Sequence, residues 1–174
     1  MAKEKHALIF GASGISGNAL CGQLLQYPSE DTWARVIACS NRPVAKKSAQ
    51  LPEDPRLELV HGIDLSSELE DVKSKMKEKI KDIEKVTHVF YMGLHFILRR
   101  LIFPAFTHRP DQVRLRTVNV PMFKTAIEAI DTLAPNLEHV ILQTGGKVPS
   151  HPPYPTNFRL TVSNSQTKSK SNRP

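Results

Sequence analysis

Residues 6–144 alternate short apolar runs with segments whose apolar positions recur at helical spacing. His6 to Phe10 is an apolar run that stops at Gly11, and Ile15, Ala19, Leu20 and Leu24 then recur with a helix period until Tyr27-Pro28. Ala34 to Cys39 and Leu57 to Val60 read as further strands, as do Val86 to Met92 and His139 to Gln143. Leu69, Val72, Met76, Ile80 and Ile83 share one helical face, and Ser67 with Glu70 has the form of a capping box. Acids gather at the start of that helix and lysines follow, as the helix dipole favours. Met122, Phe123, Ala126, Ile127, Ile130 and Leu133 form another helical face. Pro121 is tolerated in a first turn, so the spacing starts this helix near Asn119.

Strands alternating with helices predict right-handed crossovers and a parallel sheet covered on both faces. The expected fold is therefore α/β, a doubly wound Rossmann sheet of about five strands. Ligands of such sheets bind beyond the carboxyl ends of the strands. The expected domain covers residues 1–147. Residues 148–174 are rich in Pro, Ser, Thr and Asn, which predicts a disordered tail.

Composition narrows the classes. A chain of 174 residues, 40% of them hydrophobic, can bury one core. Cys21 and Cys39 alone cannot make a disulfide framework. No uncharged apolar run has the length of a membrane span, and the first residues lack a signal-peptide pattern. The expected location is cytoplasmic. The net charge of +7 owes much to Arg159, Lys168, Lys170 and Arg173 of the tail. It is not spread over a folded face, so no nucleic-acid partner is expected.

Gly11-Ala-Ser-Gly14-Ile-Ser-Gly17 joins the first strand to the first helix. In that context the glycines have a mechanism. Gly11 permits a tight turn, Gly14 lets backbone approach a pyrophosphate, and Gly17 lets helix and strand pack closely. The helix amino end then faces the anion. Ser13 and Ile15 belong to the same loop. After the second strand come Asn41 and Arg42. An acid there would suit the ribose of NAD, whereas an Arg suits the 2′-phosphate of NADP(H). The plain alternative is a solvated surface Arg. Asp64 and Leu65 follow the third strand, where Asp64 suits either the adenine amino group or a cap on the next helix. The seven histidines show no metal-ligand spacing with the cysteines, so no metal site is expected. His88 and His139 read as structural strand residues.

The glycine loop with Asn18-Ala19-Leu20, Ser40-Asn-Arg-Pro, Val86-Thr-His-Val-Phe-Tyr, Asn119-Val-Pro-Met-Phe-Lys and Pro135 to Lys147 together resemble one family. It is the extended short-chain dehydrogenase/reductases of the progesterone 5β-reductase and iridoid synthase-like group. The resemblance covers residues 5–93 and 115–147. It implies an NADPH-dependent reductase that delivers hydride to a small enone or ketone. Fungal relatives of this kind often serve secondary-metabolite pathways. The resemblance puts the family's catalytic Lys on Lys147, where the ammonium would hold the nicotinamide ribose and lower the pKa of a proton-donating Tyr.

Two departures accompany it. Only Tyr154 follows Lys147, and its surroundings do not match the family's Tyr motif. Leu94 to Pro110 is apolar and basic where the family is polar. That stretch reads as a surface-binding helix, a core segment or a locally altered coding segment. The alternative to an enzyme is a truncated dinucleotide-binding module, inert or acting through a partner. Its raw sheet edge would pair with another chain, giving a homo-oligomer.

Overall fold

In a computed structural model of the chain, the structure describes residues 4–43, 51–92 and 112–143. The tail expected to be disordered, Lys147 and the apolar basic stretch all lie outside the described residues. The elements run β1 (Lys5–Phe10), α1 (Ile15–Leu24), β2 (Trp33–Ser40), β3 (Leu57–His61), α2 (Leu69–Lys79), a single 3-10 turn (Ile83–Lys85), β4 (His88–Tyr91), α3 (Gln112–Leu133) and β5 (His139–Leu142). All pairings are parallel, and the order is β3-β2-β1-β4-β5. This is the expected doubly wound Rossmann sheet, and the strand order reverses between β1 and β4.

The central strands β1, β2 and β4 are buried on both faces, which is why their sequences are near-continuous apolar runs. Side chains of β1 alternate between two cores. Leu8 and Phe10 join Ile37, Cys39, Val89 and Tyr91 beneath α2 and α3, while Ala7 and Ile9 join Val36, Ala38 and Trp33 beneath α1. Val72 and Met76 of α2, and Ala126, Ala129 and Ile130 of α3, are fully buried. Burying Val72, Met76 and Ile130 stabilises the fold by about 1.5–3 kcal/mol each, and the alanines contribute less. At β5, Val140 and Ile141 remain 37% and 39% exposed.

Three local expectations need correction. The apolar face from Leu69 to Ile83 is buried as a set, but one helix does not carry it. Helix α2 ends at Lys79, Ile80 is extended, and Asp82 adopts the left-handed conformation at φ 51° before the 3-10 turn. The chain must reverse there to enter β4, and Asp is among the few residues that tolerate this conformation. Second, Ser67 does not cap α2. Glu68 is the N-cap and makes no side-chain cap bond. The charge pattern does hold, with Glu70 and Asp71 in the first turn and Lys77 and Lys79 in the last. Third, α3 begins at Gln112, well before Asn119, and carries Pro121 inside it. Pro121 lies on the exposed side, so its missing N–H removes a rung without opening the core.

Candidate nucleotide-binding site

The carboxyl ends of β1, β2 and β3 meet at a groove of about 160 Å³. Phe10, Gly11, Ser13, Cys39, Ser40, Asn41, Ile63, Asp64, Leu65 and Met122 line it. Of the nine cofactor residues expected from the sequence, Gly11, Ser13, Asn41, Asp64 and Leu65 thus come together in one place. Gly14, Ile15, Gly17 and Arg42 lie outside that lining, Gly14 as the N-cap of α1, Ile15 and Gly17 in its first turn, and Arg42 in the loop after β2.

The glycine loop has a distinct reason for each glycine. Gly11 sits at φ 82°, a conformation that an L side chain rarely adopts. Its N–H and that of Ala12 both donate to the carbonyl of Cys39, at 3.1 Å each, which pins the turn to the end of β2. A Cβ on Gly17 would stand 2.3 Å from the oxygen of Gly11 and 2.9 Å from the Cα of Ala12. Close passage of α1 over the turn therefore requires glycine there. Gly14 is different. A Cβ there would meet only the oxygen of Gly11, at an ordinary 3.4 Å. Nothing within the fold demands that glycine, so its bare backbone faces outward as an approach surface. Gly14 is also the N-cap of α1 and supplies no side-chain cap, and α1 carries no acid in its first turn. Its amino end is thus left suited to an external anion.

Loops after β2 and β3 form the opposite wall. Ser40 Oγ donates to the carbonyl of Arg42 at 2.6 Å, folding the β2 exit tightly. The N–H of Gly62, at φ 81°, donates to the carbonyls of Ser40 and Asn41. Asp64 accepts hydrogen bonds from the hydroxyl of Ser66 at 2.7 Å and from its N–H at 3.0 Å. These bonds, with one from the side chain of Asn41, hold its carboxyl below the usual carboxylate range. Asp64 therefore braces a turn ahead of α2 instead of capping the helix, and it remains anionic on the groove wall. Arg42, which follows Asn41 of the lining, is exposed. Cys39 is fully buried, and desolvation pushes its thiol far up, so it is no thiolate. Cys21 is likewise raised, to about 12.

The residues present fit a dinucleotide. Turn, open glycine, helix terminus and polar wall lie on one side of the sheet's carboxyl edge, as a diphosphate with a nucleoside requires.

Sequence reasoning missed several contacts. Gln143, at the end of β5, donates through Nε2 to Ser16 Oγ at 3.3 Å, tying the start of α1 to the far strand. Met122 of α3 reaches the groove although its segment is distant in sequence. At the opposite sheet edge, His88, Glu138 and His139 cluster with their ligand atoms all within 4.8 Å of one another. Among the described residues the buried hydroxyl of Tyr91 has no partner, and burial pushes it up to about 12.

Comparison with known proteins agrees with this geometry. Residues 7–160 match the family described as the PRISE-like Rossmann-fold domain. The chain is 46% identical over 142 residues to the short chain dehydrogenase ausT of Aspergillus calidoustus, covering 82% of this chain and 33% of that protein. It is 34% identical over 148 residues to the 3-oxo-Delta(4,5)-steroid 5-beta-reductase of Arabidopsis thaliana, covering 83% and 31%. Among solved structures, the carbonyl reductase Sniffer of Caenorhabditis elegans aligns with a TM-score of 0.54 at 16% identity, over 78% of this chain and 55% of that one, which speaks for the fold. The chain spans about a third of the length of the curated relatives it matches. It belongs to the PRISE-like Rossmann-fold family of short-chain dehydrogenases/reductases.

Proposed function

We propose that this chain is the cofactor-gripping part of an NADPH-dependent reductase acting on a small enone or ketone. The observation that carries the reading is the groove beside the glycine turn, lined by Asn41, with the exposed Arg42 next to it in sequence. A bound nicotinamide dinucleotide would supply the hydride. The chain's own residues bind and orient it. Gly11, Ser13, Gly14, Ile15 and Gly17 form the turn and helix end that receive the diphosphate. Arg42 meets the 2′-phosphate through charge and a planar fork of donors. Asn41, Asp64 and Leu65 receive the adenine side. Ile15, at 95% exposure, offers an apolar surface on the same loop.

Lys147 holds the nicotinamide ribose and lowers the pKa of the group that protonates the substrate oxygen. The name of the Arabidopsis relative gives a 3-oxo-Delta(4,5)-steroid, which is an enone, and this supports the substrate class. The fungal relative, a short chain dehydrogenase by name, supports the reaction class.

A second reading, nucleotide binding without turnover, is favoured by one observation. The chain spans about a third of the length of its curated relatives, and that third holds the glycine turn and the groove.

Titration with NADPH and NADH, followed by nicotinamide fluorescence, tests both. NADPH should bind, and Arg42→Ala should weaken it roughly 10- to 100-fold, the worth of charge-assisted bonds, while leaving NADH unchanged. Equal affinity of the wild-type chain for both would refute the role of Arg42. Binding without turnover of any enone or ketone would favour the second reading.

A further inference from the structure

At the amino edge of the sheet, opposite the groove, Thr87 joins β1, β4 and β5. Its N–H donates to the carbonyl of His6 at 3.0 Å, and the His6 N–H donates to Thr87 Oγ1 at 3.0 Å. The hydroxyl proton returns to the His6 carbonyl at 3.2 Å. With that proton committed, Thr87 Oγ1 accepts from Nδ1 of His88 at 2.9 Å. The bond leaves Nε2 of His88 with its lone pair. The carbonyl of Thr87 in turn accepts from Glu138 N–H at 2.8 Å and from His139 N–H at 3.1 Å.

Successive strand residues ordinarily project to opposite faces. Two adjacent amides converging on one carbonyl bend the entry to β5, and Glu138 and His139 both reach His88. His88 and His139 pair in register, with ring centroids 5.0 Å apart. Trp33 lies edge-on to His88 at 5.0 Å. His88 is buried, whereas Glu138 and His139 are exposed.

We propose that His88, Glu138 and His139 form a binding site for a divalent cation of the zinc class, which clips β5 to β4. Two imidazoles and one carboxylate are a zinc donor set, and three protein ligands leave a fourth position for water on the solvent side. Bonds of about 2.0–2.2 Å in a tetrahedron put donor atoms about 3.4 Å apart. The present separations of up to 4.8 Å therefore close by rotation of the two exposed side chains, while His88 stays fixed. Thr87 orients the buried ligand, as hydrogen-bonded partners of metal-binding His commonly do. The charges that bear on His88 besides its burial are those of His139 and Lys5, and the carboxylate of Glu138 opposes them. The site stands at the far edge from the groove, so its role is anchorage and not hydride transfer.

The test uses the full chain, stripped with EDTA and titrated with Zn²⁺ by calorimetry, then with Co²⁺ to read tetrahedral absorption bands. One Zn²⁺ should bind per chain and raise Tm. Glu138→Gln and His139→Ala should each weaken binding at least tenfold, and the double variant should lose both the binding and the Tm rise. Circular dichroism checks that these exposed substitutions keep the fold, and His61→Ala, an exposed histidine elsewhere, should bind as the wild type does. Absence of saturable binding, or undiminished binding in the double variant, would overturn the site.

Discussion

Gly17 and Gly14 are three residues apart and are glycine for different reasons. At Gly17 an added Cβ collides with backbone at 2.3 Å, and backbone cannot step aside as a side-chain end can. Gly17→Ala should therefore destabilise the chain by more than about 2 kcal/mol in urea unfolding. Gly14→Ala meets its nearest atom at 3.4 Å and an extended backbone that Ala accepts. It should cost under about 1 kcal/mol, yet cut NADPH affinity at least tenfold if the bare backbone is where the diphosphate rests. Equal stability losses at the two positions would contradict this division.

His6 makes a prediction in pH. Burial is the main cause that lowers its pKa from the ordinary 6.5, and the side-chain bond it donates to Glu4 only partly opposes it. The unfolded chain thus takes up a proton before the folded one does. The contribution of His6 is intact above pH 6.5 and is lost as pH falls from there through the lowered folded value. Urea unfolding in EDTA should show stability dropping in that window, and His6→Leu should flatten the drop. These residues also show what sequence can disclose. The glycine loop was legible because its chemistry is local and admits one residue type. Ser16 with Gln143, 127 positions apart, and Glu138 beside His88 were not, because only the folded sheet brings them together.

Elements were legible by type and less so at their ends. Apolar runs located the strands, and the buried face of α2 imposed its period; α1 stands where the spacing put it, but Ile15 and Ala19 are exposed and its buried face is Gly17, Cys21 and Leu24. Periodicity misjudged the exit of α2, where Asp82 turns the chain so that Ile83 and Val86 stay in the core without a continuous helix. It also misjudged α3. Pro121 suits a first turn, but the anchoring of Ala126, Ala129 and Ile130 outweighs one missing rung, and the helix runs through it. Because Pro121 is exposed, replacing it restores a backbone bond without disturbing packing. Pro121→Ala should stabilise the chain by about 1–3 kcal/mol. No gain in Tm would mean that the helix does not run continuously through that position.

At the scale of the molecule, the parallel order β3-β2-β1-β4-β5 explains why one edge of the sheet can bind while the other anchors. The carboxyl edge gathers the turn after β1 and the loops after β2 and β3 around the groove. The amino edge gathers Thr87, His88 and the entry to β5. Both arrangements follow from a sheet buried on two faces, which leaves its edges as the places where polar groups collect. The central claim is that the glycine turn and Arg42 grip a phosphorylated dinucleotide. A crystal structure of the chain soaked with NADP⁺ tests it most directly. The diphosphate should lie over Gly11 to Gly17 with the 2′-phosphate against Arg42, and a nucleotide bound elsewhere, or none at saturating concentration, would contradict the account.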